Sequence, residues 1–194
     1  MKMFIVDTGT HNDIHTYTLT AAWDVSTASF VDTFSVKSQT TLPTGIAFSK
    51  SGTKMFITDT AGSTDTVLEY TLTTAWDVST ASFVDKISVR GEDRAPQDIA
   101  FSKSGEKMFI VGSEGVPIGT EINAVHEYTL TGAYCIGTAS FVDSFDISSQ
   151  EGAVTGIAFS KSGKTMFIVG SLGDDINVYT LTTAWDVSTA SFVS

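Results

Sequence analysis

An all-β fold built from four copies of one four-stranded antiparallel unit is what the sequence predicts, on three observations. The segment TLTTAWDVSTASFV stands at 71–84 and again at 180–193, with near copies at 18–31 and 129–142. The runs between turn-forming clusters are short and rich in Val, Ile, Phe, Tyr and Thr, the composition of strands. No stretch carries apolar residues at the 3.6-residue spacing of an amphipathic helix.

The repeat-equivalent phenylalanines Phe30, Phe83, Phe141 and Phe192 lie 53, 58 and 51 residues apart. A second shared element, IAFSKSG, occupies 46–52, 99–105 and 157–163, and runs directly into KMFI or TMFI. One unit therefore has four segments. Segment a is IAFS, and SKSG joins it to segment b, MFIV, over the length of a hairpin turn. Segment c ends in YTLT. The link AWDVSTA then leads to segment d, ASFVDxFSV, and Asp24, Asp77 and Asp186 in that link can close a turn by bonding backbone N–H. Cys135 takes the aspartate's place in the third copy and is a loop residue. The first copy opens at segment b, with KMFI from Lys2, so its innermost strand is missing.

Repeats of about 50 residues and four strands are the period of β-propeller blades. The chain is read as one propeller domain over 1–194, with units at about 1–44, 45–97, 98–155 and 156–194. Two closures are open. One is a four-bladed ring within one chain, which the length favours. The other is a homodimer that completes an eight-bladed ring. The unpaired apolar edge MKMFIV is a liability in water and favours burial against something.

The residues IAFSKSGTKMFIV resemble the strand–turn–strand of WD-repeat, NHL-type and YVTN-type propellers, in which a turn of the FSPDG kind joins the two inner strands. The whole unit resembles repeats of marine bacterial and phage proteins. The likeness spans essentially the entire chain and implies a propeller. It departs from true WD repeats, because Trp23-Asp24, Trp76-Asp77 and Trp185-Asp186 precede segment d instead of ending segment c, and the WD-repeat histidine is absent.

Composition narrows the functional classes. Asp and Glu number 22 against 11 Lys and Arg, a net charge of −11. Such a surface repels phosphate backbones and anionic lipid, so no nucleic-acid partner is expected. One cysteine allows no intrachain disulfide. The apolar run before Asp7 is too short for a signal-peptide core or a membrane span, so a cytoplasmic or virion-associated protein is expected.

In a four-stranded meander the a–b and c–d loops lie on one face, and the b–c loops and d–a links on the other. The a–b and c–d loops are nearly constant from copy to copy; the others vary. Loops on a rigid scaffold are the usual seat of binding, so the variable face is the candidate site. Its carboxylates are Asp7, Asp13, Asp59, Asp65, Glu114, Glu121, Asp174 and Asp175. No cofactor is expected. Calcium is the cation such oxygens would take, although no loop has EF-hand spacing. The second d–a link adds one non-repeated polar cluster of Arg90, Glu92, Asp93, Arg94 and Asp98, where Asp98 replaces Gly45 and Gly156 of the other copies.

His15 and His126 are repeat-equivalent. In a four-bladed ring they would stand opposite one another, roughly 20 Å or more apart at ~4.8 Å per strand, too far to share a metal. His11 reads as a solvated loop residue. Trp23, Trp76, Tyr134 and Trp185 read as packing residues, with sugar stacking as the functional alternative. No nucleophile elbow, phosphate loop or zinc spacing occurs. The expected function is a non-catalytic binding, structural or assembly module that engages a protein or glycan through the variable face, as a virion or cell-surface component. The alternative is a propeller lactonase or hydrolase with its site at the channel mouth.

Overall fold

The computed structural model describes residues 1–61, 64–113, 122–173 and 175–194. It contains four antiparallel sheets that follow one another in chain order as propeller blades. Blade one has three strands, β1 (Lys2–Val6), β2 (Asp13–Leu19) and β3 (Ala28–Ser35). Blade two comprises β4 (Pro43–Phe48), β5 (Lys54–Asp59), β6 (Thr66–Leu72) and β7 (Ala81–Ser88). Blade three comprises β8 (Pro96–Phe101), β9 (Lys107–Gly112), β10 (Ala124–Leu130) and β11 (Ala139–Asp146). Blade four comprises β12 (Val154–Phe159), β13 (Thr165–Gly170), β14 (Ile176–Leu181) and β15 (Ala190–Phe192). The fold class and the short first blade are as the repeat predicts.

Register repeats with the sequence. Tyr17, Tyr70, Tyr128 and Tyr179 each oppose the repeat phenylalanine of the next strand. All four pairs meet near edge-on at 5.6–5.7 Å, a geometry that suits the ring quadrupoles. The inner strands β4, β8 and β12 lie next to one another.

Three hydrophobic cores fill the spaces between consecutive blades. Ile14 and Val36 of blade one pack with Met55, Ile57, Tyr70 and Val78 of blade two. Phe56 and Val67 pack with Met108, Ile110 and Ile136, and Phe109 and Val125 with Met166, Ile168 and Val187. Among the described residues none of these cores joins blade one to blade four.

The c–d links hold a feature the strand pattern missed, a single turn of 3-10 helix at Val25–Thr27, Val78–Thr80, Ile136–Thr138 and Val187–Thr189. Asp24 and Asp77 cap it by accepting from Ser26 N (3.0 Å) and Ser79 N (3.2 Å), while Asp186 bonds only the Ser188 hydroxyl. Cys135 makes no side-chain cap and is half-buried.

The aromatic residue before each cap is held at positive φ: Trp23 +65°, Trp76 +63°, Tyr134 +56°, Trp185 +62°. A bulky side chain adopts that region only when its surroundings impose it. In blades two to four the a–b turn supports it, while Trp23 takes the same φ in blade one without such a turn. Trp76, Tyr134 and Trp185 donate backbone N–H to Gly52, Gly105 and Gly163 O at 2.8–2.9 Å. Those glycines sit at φ +70 to +77°, where a Cβ would fall 2.2–2.3 Å from the aromatic ring.

Lysines at the start of the b strands tie blade to blade. Lys2, Lys54 and Lys107 donate to the carbonyls of Trp76, Tyr134 and Trp185 in the following blade at 2.6–2.8 Å. Lys54 and Lys107 also pair with the buried Glu69 and Glu127 of their own blades. Blade four has Thr165 and Val178 at these two positions. Among the described residues, no helix is long and apolar enough to cross a membrane.

Candidate functional site

The b–c loops and d–a links share a face because their backbones bond one another. Val36, Val89 and Ile147 N–H donate to Asn12, Asp65 and Asn123 O at 2.8–3.0 Å. Glu114, Glu121 and Asp174 lie outside the described residues. The other predicted site residues are placed, and the structure gives most of them local partners.

Asp59 is buried and accepts from the Thr40 hydroxyl, from Ala61 N (2.9 Å) and from the Thr66 hydroxyl (3.2 Å). Asp65 is buried against the Arg90 guanidinium. Burial raises its carboxyl above the ordinary value, and nearby Asp93 and Asp59 add to this while Arg90 opposes it. Asp7 is 3.9 Å from His15 Nε2, and that ring's Nδ1 is 3.1 Å from the Thr33 hydroxyl. Asp13 opens β2, half-buried. Asp175 is exposed and accepts from Asn177 at 3.1 Å.

The cluster expected in the second d–a link is dispersed. Arg90 turns to Asp65. Glu92 accepts from the Tyr128 hydroxyl at 3.2 Å, as Gln39 and Gln150 accept from Tyr70 and Tyr179 in the neighbouring blades. Burial keeps these three phenols protonated, with Tyr179 pushed up to about 12 and the other two higher still. Asp93 accepts from Ala95 N (2.8 Å) and lies 3.4 Å from the buried His126 ring. Arg94 is half-buried, and its Nε has no partner among the described residues.

Asp93 belongs to a pattern hidden in the variable loops. Every blade from the second on buries one carboxylate at the outlet of its b strand, but the carboxylate comes from two sources. In blade two it is Asp59, at the end of β5, with Thr40 in the link beside it. In blade three the link supplies Asp93 and the strand ends in Gly112; in blade four Glu151 faces Gly170. A Cβ on Gly112 would fall 1.8 Å from Asp93 Oδ2, and one on Gly170 would fall 2.1 Å from Glu151 Cδ. Each carboxylate accepts the backbone N–H two residues on, with Glu151 bonding Ala153 N at 2.8 Å.

Asp98 stands apart on the inner strand β8. Its carboxylate accepts from Ile99 N (2.8 Å) and from Ile157 N of the next blade (3.1 Å). Burial outweighs those two bonds and pushes its carboxyl up to about 6. Among the described residues, no group of three or more His, Cys, Asp or Glu side chains is arranged to hold a metal ion.

Two open clefts of about 400 Å³ lie among the described residues. The first lies on the variable face between blades three and four, lined by Gln97, Ser113, Asn123, Val154, Thr155 and Ser171. All six are uncharged, and four of the other five accompany the buried Asn123 with exposed or half-buried polar or amide groups at its rim. The second lies on the a–b loop face, lined by Phe48, Phe101, Phe159, Trp76, Tyr134 and Trp185, with Lys50, Lys103 and Lys161 at its edge. The sequence assigned those aromatics to packing, with sugar stacking as the alternative for the tryptophans, but did not place them in one cleft; the identical FSK triplets of the a–b turns were the signal for it.

No family model and no curated protein matches the chain. Solved structures do. A protein from Lactobacillus plantarum is 14% identical with a TM-score of 0.60, over 100% of this chain and 51% of that one. A chain of a nidogen–laminin complex is 12% identical with a TM-score of 0.60, over 100% and 60%. The periplasmic gluconolactonase PpgL of Pseudomonas aeruginosa is 12% identical with a TM-score of 0.51, over 98% and 65%. The chain thus spans about half the length of the first of these and under two thirds of the others. At such identities the likeness is one of fold, and the chain is a β-propeller repeat protein.

Proposed function

We propose that the chain is a non-catalytic binding module whose ligand seats in the uncharged cleft between blades three and four on the variable-loop face. The observation that carries this reading is the cleft itself: about 400 Å³, framed by hydroxyl and amide groups from a b–c loop, a d–a link and an inner strand. Convergent neutral donors and acceptors on a rigid wall suit a polyhydroxylated ligand, a glycan, better than a charged one. Among the described residues, the carboxylates Asp59, Asp65, Asp93 and Glu151 are engaged by backbone N–H, hydroxyl or guanidinium partners, which gives them a scaffolding part.

A glycan array followed by calorimetry on the best binder tests the proposal. Gln97→Ala and Thr155→Val should each weaken binding about tenfold, the cost of one lost hydrogen bond. Unchanged affinity in both variants would refute the assignment to this cleft.

A second reading, a lactonase, is favoured by one observation. Asp98 is a non-repeated, half-buried carboxyl on the inner strand with its proton affinity raised toward neutrality, as a general acid or base requires. PpgL, whose fold this chain resembles, is a gluconolactonase. Hydrolysis of glucono-1,5-lactone, lost in Asp98→Asn, would establish it; no turnover by the unaltered chain would remove it. The binding reading is preferred because both Asp98 oxygens already accept backbone N–H groups.

A further inference from the structure

Each blade meets the next through the same two surfaces. The trailing surface of one presents a b-strand phenylalanine and a c-strand aliphatic residue; the leading surface of the next receives them with its b strand and its 3-10 turn. At the inner interfaces these positions are sealed: Phe56, Phe109, Val67 and Val125 are 0% exposed, and Val78, Ile136 and Val187 at most 1%. The same positions lie open at the two ends of the array. On the trailing surface of blade four Phe167 is 37% exposed, Val169 42% and Ile176 62%. On the leading surface of blade one Ile5 is 44% exposed and Val25 70%.

We propose that these two surfaces are the halves of one interface, and that a second copy of this chain covers both. Blade four of each copy packs on blade one of the other, which makes an eight-bladed ring with two-fold symmetry. The new interface would continue the apolar series between the blades, without the lysine-to-carbonyl ties that Lys2, Lys54 and Lys107 make at the inner ones. Its charge pattern fits as well. The inner trailing surfaces carry the pairs Lys54–Glu69 and Lys107–Glu127, whereas blade four has Thr165 and Val178 there, so no carboxylate or ammonium is desolvated at those positions. The missing inner strand of blade one leaves a cavity of about 800 Å³ beside Phe4, Trp23 and Trp76, yet the three-stranded blade still shares a core with blade two through Ile14 and Val36. A head-to-tail contact of this kind closes when its rotation matches that between the blades, and eight blades lie within the propeller range.

Sedimentation equilibrium on residues 1–194 at micromolar concentration tests the proposal. The expected mass is twice 20.6 kDa. Ile176→Lys, on one surface, and Val25→Asp, on the other, should each weaken the dimer at least ~100-fold, since a buried unpaired charge enters both equivalent contacts. Both positions are exposed in the single chain, so each variant should keep the far-UV spectrum of the unaltered protein. Mixing the two variants should restore a weaker heterodimer through the one contact left unaltered. A monomer at all concentrations, an open-ended polymer, or a dimer indifferent to both substitutions would overturn the proposal. So would a monomer that associates only with a longer array of this repeat, which would assign the surfaces to other blades.

Discussion

Exchanging the source of the buried carboxylate in blade three should reproduce the arrangement of blade two. Gly112→Asp alone puts a second carboxylate where a Cβ would already lie 1.8 Å from Asp93 Oδ2. Overpacking and an uncompensated buried charge together should cost roughly 3–5 kcal/mol. Asp93→Thr alone loses the bond to Ala95 N (2.8 Å) and leaves that N–H unsatisfied, at about 1.5–3 kcal/mol. The double substitution recreates the Asp59–Thr40 pairing and should fall within about 1 kcal/mol of the unaltered protein, a coupling of at least ~3 kcal/mol. Urea unfolding followed by far-UV circular dichroism gives the four stabilities of the cycle. Additive losses would show that the two positions do not share one carboxylate site and would refute the reasoning.

Asp98, pushed up to about 6 from 3.8 by burial, makes the folded chain bind more protons than the unfolded chain between those values. Stability should therefore fall as pH rises from about 4 to about 6, by at most about 3 kcal/mol, and then level off. Asp98→Gly, which installs the residue found at Gly45 and Gly156, should flatten that slope in thermal melts. Gly105→Ala should cost at least ~2 kcal/mol, because φ is +77° and the new Cβ would meet the Tyr134 ring at 2.3 Å. Gly91→Ala, with nothing within 4 Å, should stay within about 0.5 kcal/mol. Calcium at 10 mM should leave the melting temperature within ~1 °C of its value in EDTA; a site filled at tenfold its Kd would add about 1.4 kcal/mol, several degrees.

The strands were legible because a strand's pattern is local: IAFS, MFIV and YTLT recur with turn residues between them, and among the described residues fifteen strands appear where the repeats place them. The candidate site was legible only as a face. Whether a carboxylate there is available or occupied depends on what the neighbouring blade brings within 3 Å. Variation between Asp59, Gly112 and Gly170 resembles unconstrained drift until Thr40, Asp93 and Glu151 are seen beside them. The left-handed tryptophans were equally hidden. No propensity predicts φ near +60° for Trp, and the a–b turn glycines that Trp76 and Trp185 bond lie 24 and 22 residues earlier in the chain. The 3-10 turns escaped notice because three residues are too few to show a period.

Blades that pack in chain order leave two outer surfaces, which a second copy is proposed to cover. Segment-resolved hydrogen exchange, recorded at nanomolar and at high micromolar concentration, tests this most directly. The internal strands β5 and β9 should be protected at both concentrations, and β1 and β13 should gain protection only at the higher one. Protection of β1 and β13 equal to that of β5 and β9 at the lowest concentration, with no change on concentrating, would contradict it.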